Sequence, residues 1–582
     1  MAAITIAMNM IPNKPTSYRL GRKPSKVVCC IASTAAAVTG TDQPCSVQQK
    51  QNPPRRSGNY GPPFWDFNYF QSLNSDYKEE RYLRRASELK VQVKKMLVEK
   101  EMSSVEELEV VDDLQRLGIS YHFEDEINQI LACVYDQKYG KNISQGIKER
   151  DLYSTALEFR LLRQHGFNVP QEVFNCFKNE KGDFNPSLGN DTRGLLQLYE
   201  ASFVSTPGEK TIDLARGFAT NFLQKNPNKK IDENLSLLVR HTLELPIHWR
   251  VRRPNARWFI EAYERRSDLN SLVLEFAKLD FNIVQAIHQE EFKHLSRWWK
   301  QTGIIEKLPF ARDRMVECYF WNTGVFSHPR YGYPRIMASK LNALVTVIDD
   351  IFDIYGTHHE LQLFNNAIQR WDVKAIEELP NYMKICYLAL YNFINEMAYD
   401  VLKQHGLLII PHLRKSWEDL CKTYLQEAEW YSRGYAPTFE EYIDNAWISI
   451  SAPVILSHAY FLVANPIQNE VVRSLYKYHS IVRYSAMILR LANDLETSPD
   501  EMKRGDVPKS IECYMNESGA TKEEAREYIR FVIGETWKKM NEEAFAVNSP
   551  FPQDFVRIAT DLVEKVIHLL FQFFKMKNIN MI

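Results

Sequence analysis

The sequence predicts an all-α protein built as two helical domains, and three observations carry that expectation. Its 582 residues exceed what one hydrophobic core usually fills, so more than one domain is implied. The 22 glycines and 26 prolines are about 8% of the chain against roughly 12% in average usage, too few turn formers for many short strands. From about Phe64 onward apolar residues recur at helical spacing, as at Leu83, Ala86, Leu89, Val93, Met96 and Leu97, or at Leu152, Ala156, Leu157, Phe159, Leu161 and Leu162.

Composition narrows the function classes. With 45% hydrophobic and 25% charged residues the chain should pack as a globular protein. Lys and Arg number 72 against 73 Asp and Glu, so no basic excess exists to attract nucleic acid, and a small ligand is expected. The apolar runs, including Val566 to Phe574, look too short to cross a bilayer, and no membrane span is expected. Nine scattered cysteines without a CxxC spacing read as buried free thiols.

In chain order, residues 1–54 hold six basic residues, nine Ser or Thr and one acid, Asp42. A basic, hydroxyl-rich, acid-poor start without a long apolar stretch reads as an organelle transit peptide. The first domain should span 55–254. Its helix punctuation is regular, with a capping-type start at Ser103 to Glu107 and breaks at Gly166, Pro170, Pro207 and Pro246. Its charged faces are expected to be solvated, and no metal or nucleophile cluster is evident in it. The basic segment His248 to Pro254 reads as a hinge or junction. The second domain, 255–582, is again helical, and no short repeat divides it.

Chemistry concentrates in that second domain. Pro334 to Gly356 reads as one helix, apolar nearly all round from Leu341 to Ile348 and therefore buried between others. Asp349, Asp350 and Asp353 follow at its C-terminal end, with Asp349 and Asp353 four apart on one face. Carboxylates there repel one another and meet the negative end of the helix dipole, so a cation is implied. Oxygen-only donors suit Mg²⁺ or Mn²⁺ and leave positions for water and a substrate phosphate. Downstream, Asn493, Thr497 and Glu501 are spaced i, i+4, i+8, with a kink or early helix end expected at Pro499. Arg490 lies one turn before them and Lys503, Arg504 and Lys509 just after, the mixture of acids and cations that a metal-bound diphosphate needs. Arg312 and Arg314 form a further basic pair that could reach the same cavity from a neighbouring helix.

Together these residues resemble the plant terpene synthases, and within them the angiosperm monoterpene synthases. The resemblance runs through nearly the whole chain: a plastid-like leader, RRx8W as Arg55-Arg56 to Trp65, RxR as Arg312 and Arg314, DDxxD at Asp349 to Asp353, and the NSE/DTE motif at Asn493, Thr497 and Glu501. It implies a relict N-terminal α-barrel-like domain and a C-terminal class I terpenoid synthase helical bundle. It also implies three Mg²⁺, two on Asp349 and Asp353 and the third on Asn493, Thr497 and Glu501, with Arg312, Arg490 and Lys509 gripping the diphosphate. Trp321 and Phe320 are the aromatic residues expected to face the cation, and Arg55 and Arg56 match a pair linked either to isomerisation of the substrate or to lid-stabilising ion pairs.

The implied activity is that of a plastid monoterpene synthase acting on geranyl diphosphate as a monomer or weak homodimer. Other readings are a sesquiterpene or hemiterpene synthase, a trans-prenyltransferase, which normally carries two DDxxD motifs, or an impaired relative that binds metal and diphosphate without efficient turnover. Asn342, two turns before Asp349, should face the pocket, where a side chain smaller than Phe leaves room for ten carbons and its amide could hold a water. The ending Phe571 to Ile582 departs from the family's closing loop and final helix, so the chain looks truncated or altered there.

Overall fold

The computed structural model describes residues 65–99, 101–139, 151–225, 232–504, 507–546 and 549–564, with Arg55, Gly58, Tyr60, Gly61 and Pro63 ahead of them; for 498–504 it describes the backbone alone. The leader 1–54, Arg56 and the C-terminal ending therefore lie outside the described residues. Among those described every regular element is helical, and pairing between extended segments is limited to an isolated bridge from Lys178 to Phe184.

Local sequence explains where the helices begin and stop. Ser103 and Glu106 form the capping box that opens Ser104–Arg116, and Thr357 with Glu360, Thr438 with Glu441 and Thr521 with Glu524 repeat the device. At the other ends Gly303, Gly406, Gly434 and Gly519 take φ between 60° and 72°, the left-handed geometry that stops a helix without a Cβ clash. Pro254 does not break the chain as expected. It falls in the first turn of the Arg252–Tyr263 helix, where its missing N–H would have had no intrahelical partner. Pro499 likewise fails to end its helix, which runs from Ser480 to Arg504.

Two hydrophobic cores result. The first gathers Leu89, Val111, Phe159, Leu198 and Ala215 from successive helices and continues through Phe259 and Phe276 to Leu279, so the sequence boundary at 254/255 falls inside it. The second begins at Phe292 and runs to Val563. The Ser271–Thr302 helix, about 48 Å long at 1.5 Å per residue, belongs to both: Phe276 and Leu279 pack into the first core, Phe292, Leu295 and Trp299 into the second.

The first core also corrects the expectation of solvated charged faces. The Leu152–Gln164 helix is enclosed on all sides, Glu158, Arg160 and Arg163 included. Arg160 donates to Asp112 at 2.7 Å and Arg116 pairs with both Asp112 and Glu200, so each buried charge has an opposite partner, as burial demands. Cysteines differ from expectation in part: Cys318, Cys386, Cys421 and Cys513 are buried free thiols, whereas Cys133 and Cys176 are exposed. One stretch, Phe439–Val463, is in fact long and apolar enough to cross a membrane. In this fold it is two helices, Phe439–Ser449 and Ala452–Val463, separated at Ser451 with φ of 70° and mostly buried in the second core.

Candidate active site

The aspartate helix occupies the centre of the second core. Gly332–Asp350 is α-helical and every side chain from Leu341 to Ile348 is buried, as the all-round apolar sequence requires. At Ile351–Tyr355 the winding widens to a single π turn, in which the Gly356 N–H reaches the Ile351 carbonyl at 2.7 Å. The three aspartates thus straddle a change of helix type. Asp350 is wholly buried, Asp349 half-buried and Asp353 exposed.

Arg312 binds the first two acids from the segment before the Met315–Val325 helix. Its backbone N–H donates to Asp350 Oδ2 at 2.7 Å and its guanidinium to Asp349 Oδ2 at 2.6 Å. The guanidinium also lies 2.8 Å from Asp350 Oδ1, at an angle too poor for a hydrogen bond. Burial pushes both carboxyls up; Arg312 more than offsets this at Asp349, which is held below its usual range, but not at Asp350, which stays raised. Arg314 points elsewhere: it pairs with buried Glu317 at 3.3 Å, and burial holds that carboxyl up at about 7.

The second motif lies on the Ser480–Arg504 helix. Asn493 and Thr497 are both buried, and the Asn493 amide donates to Thr497 Oγ1 at 3.2 Å, which confirms that they share a face. Glu501 continues the same helix, its side chain outside the described atoms. Arg490 donates to the Ala446 carbonyl at 3.1 Å and to Ser449 Oγ at 3.2 Å, and lies 3.3 Å from Asp494. Lys509 approaches Glu427 at 3.6 Å.

Tyr424 joins the two motifs. Burial drives its hydroxyl well above the ordinary phenol range, reinforced by Asp349, Asp353 and Glu427 and opposed by Arg490, so acids of the first motif and the cation beside the second act on one side chain. Neither Tyr424 nor Glu427 was singled out from sequence. They are three apart on one face of the Ile410–Arg433 helix, but that helix carries no spacing that separates them from ordinary core and cap residues. Asp494 was passed over as well, although its i−4 relation to Arg490 was visible; it is buried and accepts from Tyr442 Oη at 2.8 Å. Trp321 is buried with its indole N–H lacking a hydrogen-bond partner, and so is Asn342 with its amide oxygen; Phe320 is half-buried.

At the end of the π turn, Arg55 donates to the Tyr355 carbonyl at 2.9 Å and forms a two-pronged pair with Glu360 at 2.7 and 3.0 Å. Its guanidinium lies 4.5 Å from the Tyr355 ring centre and 5.4 Å from that of Tyr382. Trp65 packs edge-on against Phe292 of the long helix.

Two family models match this arrangement: "Terpene synthase, N-terminal domain" over residues 64–243 and "Terpene synthase family, metal binding domain" over residues 300–539. The chain belongs to the terpene synthase family. This terpene synthase is 58% identical over 509 residues to the chloroplastic cineole synthase 1 of Salvia fruticosa, covering 87% of this chain and 85% of that one. Its fold superposes on limonene synthase crystallised with 2-fluorolinalyl diphosphate with a TM-score of 0.86 at 53% identity, covering 89% of this chain and 95% of that one. Isoprene synthase from grey poplar, solved with three Mg²⁺ ions and dimethylallyl-S-thiolodiphosphate, matches with a TM-score of 0.80 at 43% identity, over 86% and 94% of the two chains.

Proposed function

We propose that this terpene synthase ionises geranyl diphosphate in a Mg²⁺-dependent reaction and releases a monoterpene and inorganic diphosphate. The observation that carries the reading is that Asp349 and Asp353 of the first motif and Arg490 beside the second all lie within electrostatic reach of the Tyr424 hydroxyl, with Asp349 held on the Arg312 guanidinium. Asp349, Asp353, Asn493, Thr497 and Glu501 are the residues that would hold three Mg²⁺, or Mn²⁺ in their place, and all five offer hard oxygen donors. The local chemistry fits such an ion: Asp349 and Asp350 gather beside the single guanidinium of Arg312, Asp353 adds a further carboxylate, and no His or Cys stands among the five proposed ligands. When bound, the metal supplies positive charge for the leaving diphosphate.

The chain's own residues do the rest. Arg312, Arg490 and Lys509 would bind the diphosphate oxygens, so that when the allylic C–O bond breaks its electron pair is accepted by a group already surrounded by cations. Trp321 would face the resulting allylic cation, whose charge an indole face tolerates in an enclosed, water-poor cavity. Loss of a proton then gives an olefin, or addition of water with loss of a proton an alcohol. Arg55, with Arg56 beside it in sequence, would hold the N-terminal segment against the end of the π turn that carries Asp353, which favours the lid-stabilising ion pair as the function of that motif. Arg314, tied to Glu317, would support the loop that carries Arg312.

Residues 1–54 would direct the chain to the plastid, a reading supported by the chloroplastic label of the cineole synthase relative. The expected assembly is a monomer or a weak homodimer. The deciding experiment supplies the chain beginning at Arg55 with geranyl, farnesyl or dimethylallyl diphosphate and Mg²⁺ and analyses the volatiles. Ten-carbon products from geranyl diphosphate, lost on chelation, are expected; turnover of only the five- or fifteen-carbon substrate would overturn the assignment.

A further inference from the structure

The N-terminal segment delivers one more side chain to the aspartate cluster. Tyr60 places its ring centre 4.9 Å from the Arg312 guanidinium carbon, the distance of a cation–π contact. Its hydroxyl is pushed up by burial and by Asp350, Asp349 and Asp353, so all three acids of the motif lie within electrostatic reach of the ring. Five residues earlier Arg55 is fixed to the end of the π turn. Between the two stands Gly58, where a Cβ would come within 2.5 Å of the Tyr60 ring; only a residue without one lets the ring fold back over Arg312.

We propose that Tyr60 is a positioning residue that holds the plane of the Arg312 guanidinium, so that its N–H edges stay aimed at anions while its face rests on the ring. The inference rests on the reading of Arg312 as a diphosphate ligand given above. A guanidinium offers two kinds of surface. Its edge carries five N–H donors in a rigid fork, and its face stacks on aromatic rings. In this structure the edge serves Asp349 and Asp350. A substrate diphosphate needs the same edge, and Asp349 is wanted elsewhere as a metal ligand. During that exchange the face contact with Tyr60 is unaffected, because it does not use the N–H edges. Arg312 therefore keeps a partner and an orientation while its anions change.

The test uses the full chain and reads both the affinity for inorganic diphosphate in saturating Mg²⁺, by calorimetry, and kcat and KM with geranyl diphosphate. Tyr60→Leu should weaken diphosphate binding about tenfold and raise KM more than it lowers kcat, whereas Tyr60→Phe, which keeps the ring, should restore both. Gly58→Ala should reproduce the loss, because the new Cβ displaces the ring without touching the core; it keeps the inference testable if Tyr60→Leu folds poorly. In an Arg312→Ala background Tyr60→Leu should add nothing. Binding by Tyr60→Leu equal to the original chain, or an undiminished effect without Arg312, would overturn the positioning role alone. Failure of the original chain to bind diphosphate with Mg²⁺ would overturn the site reading and this inference with it.

Discussion

Asp350 and Asp353 belong to one five-residue motif yet do different physical work. Asp350 is wholly buried and accepts the Arg312 backbone N–H, so Asp350→Ala leaves a buried guanidinium and an N–H short of a partner. Breaking a buried pair in this way costs about 3–5 kcal/mol, and calorimetry should show a clear drop in melting temperature. Asp353 is exposed within the π turn, so Asp353→Ala should leave melting nearly unchanged while abolishing turnover of geranyl diphosphate. Equal melting of the two variants would refute this division of labour. The sequence shows Asp349, Asp350 and Asp353 as one motif but not this contrast, because it depends on Arg312, which lies 38 positions before Asp350 and reaches it through tertiary packing. Asn342 extends the argument to the interior of the aspartate helix. It is buried with an amide oxygen that has no hydrogen-bond partner, a combination a folded core tolerates when water or substrate meets the atom. Asn342→Phe replaces that polar group with a larger ring, and it should shift preference towards dimethylallyl diphosphate or reduce cyclic products, read from the volatile profile. An unchanged profile would show that this residue does not line the cavity.

At the scale of elements, the helices were legible where periodicity and caps agreed, as at Ser103 to Arg116, or where an apolar run marked a fully buried helix, as from Leu341 to Ile348. The misreadings share one cause, which is that proline was treated as a stop signal regardless of register. Pro254 is harmless because it occupies a first turn, and Pro499 is carried within a helix that packs along the second core. The tie between the N-terminal segment and the helix opening at His358 was not legible either, since Glu360 serves two masters. Its carboxylate closes the capping box with Thr357 and pairs with Arg55, 305 positions away. Burial alone would push Glu360 up, but Arg55 and the Thr357 N–H hold it down at about 2, against 4.5 for an ordinary Glu. A depressed carboxylate stabilises the folded form above the ordinary value and loses that contribution as pH falls towards 2. Hydrogen exchange of the peptide containing Arg55 to Trp65 should therefore rise between about pH 4.5 and 2 before the cores open, and Glu360→Gln should raise it already at pH 7. Slow exchange in that variant at neutral pH would show that the ion pair does not hold the segment.

For the whole molecule, two domains were legible from length and periodicity, but the way they join was not, because the joining residues are polar and scattered. Asn541, at the end of the Lys522–Phe545 helix, donates its amide N–H groups to the carbonyls of Phe203 and Ser205 in the first core, at 3.0 and 2.9 Å. Lys538 on the same helix pairs with Asp213 at 2.9 Å, and Trp537 stacks on Trp249 with ring centres 5.9 Å apart. With the Ser271–Thr302 helix threading both cores, this seam should make the chain unfold as one unit. Asn541→Leu removes the donor to two buried carbonyls, each costing about 1–3 kcal/mol when left without a partner, and inserts an apolar group where it finds no complementary surface. The original chain should melt in a single transition. The variant should melt earlier, with the first core separating ahead of the second, because the damage lies at the seam and leaves the interior of each core unchanged. The aspartates lie on the helix at the centre of the second core and at its π-turn end, away from the residues that Asn541 bonds, so turnover at temperatures below the first transition should be preserved. Loss of turnover at low temperature in a folded Asn541→Leu protein would mean instead that the first domain supports the active site through this seam.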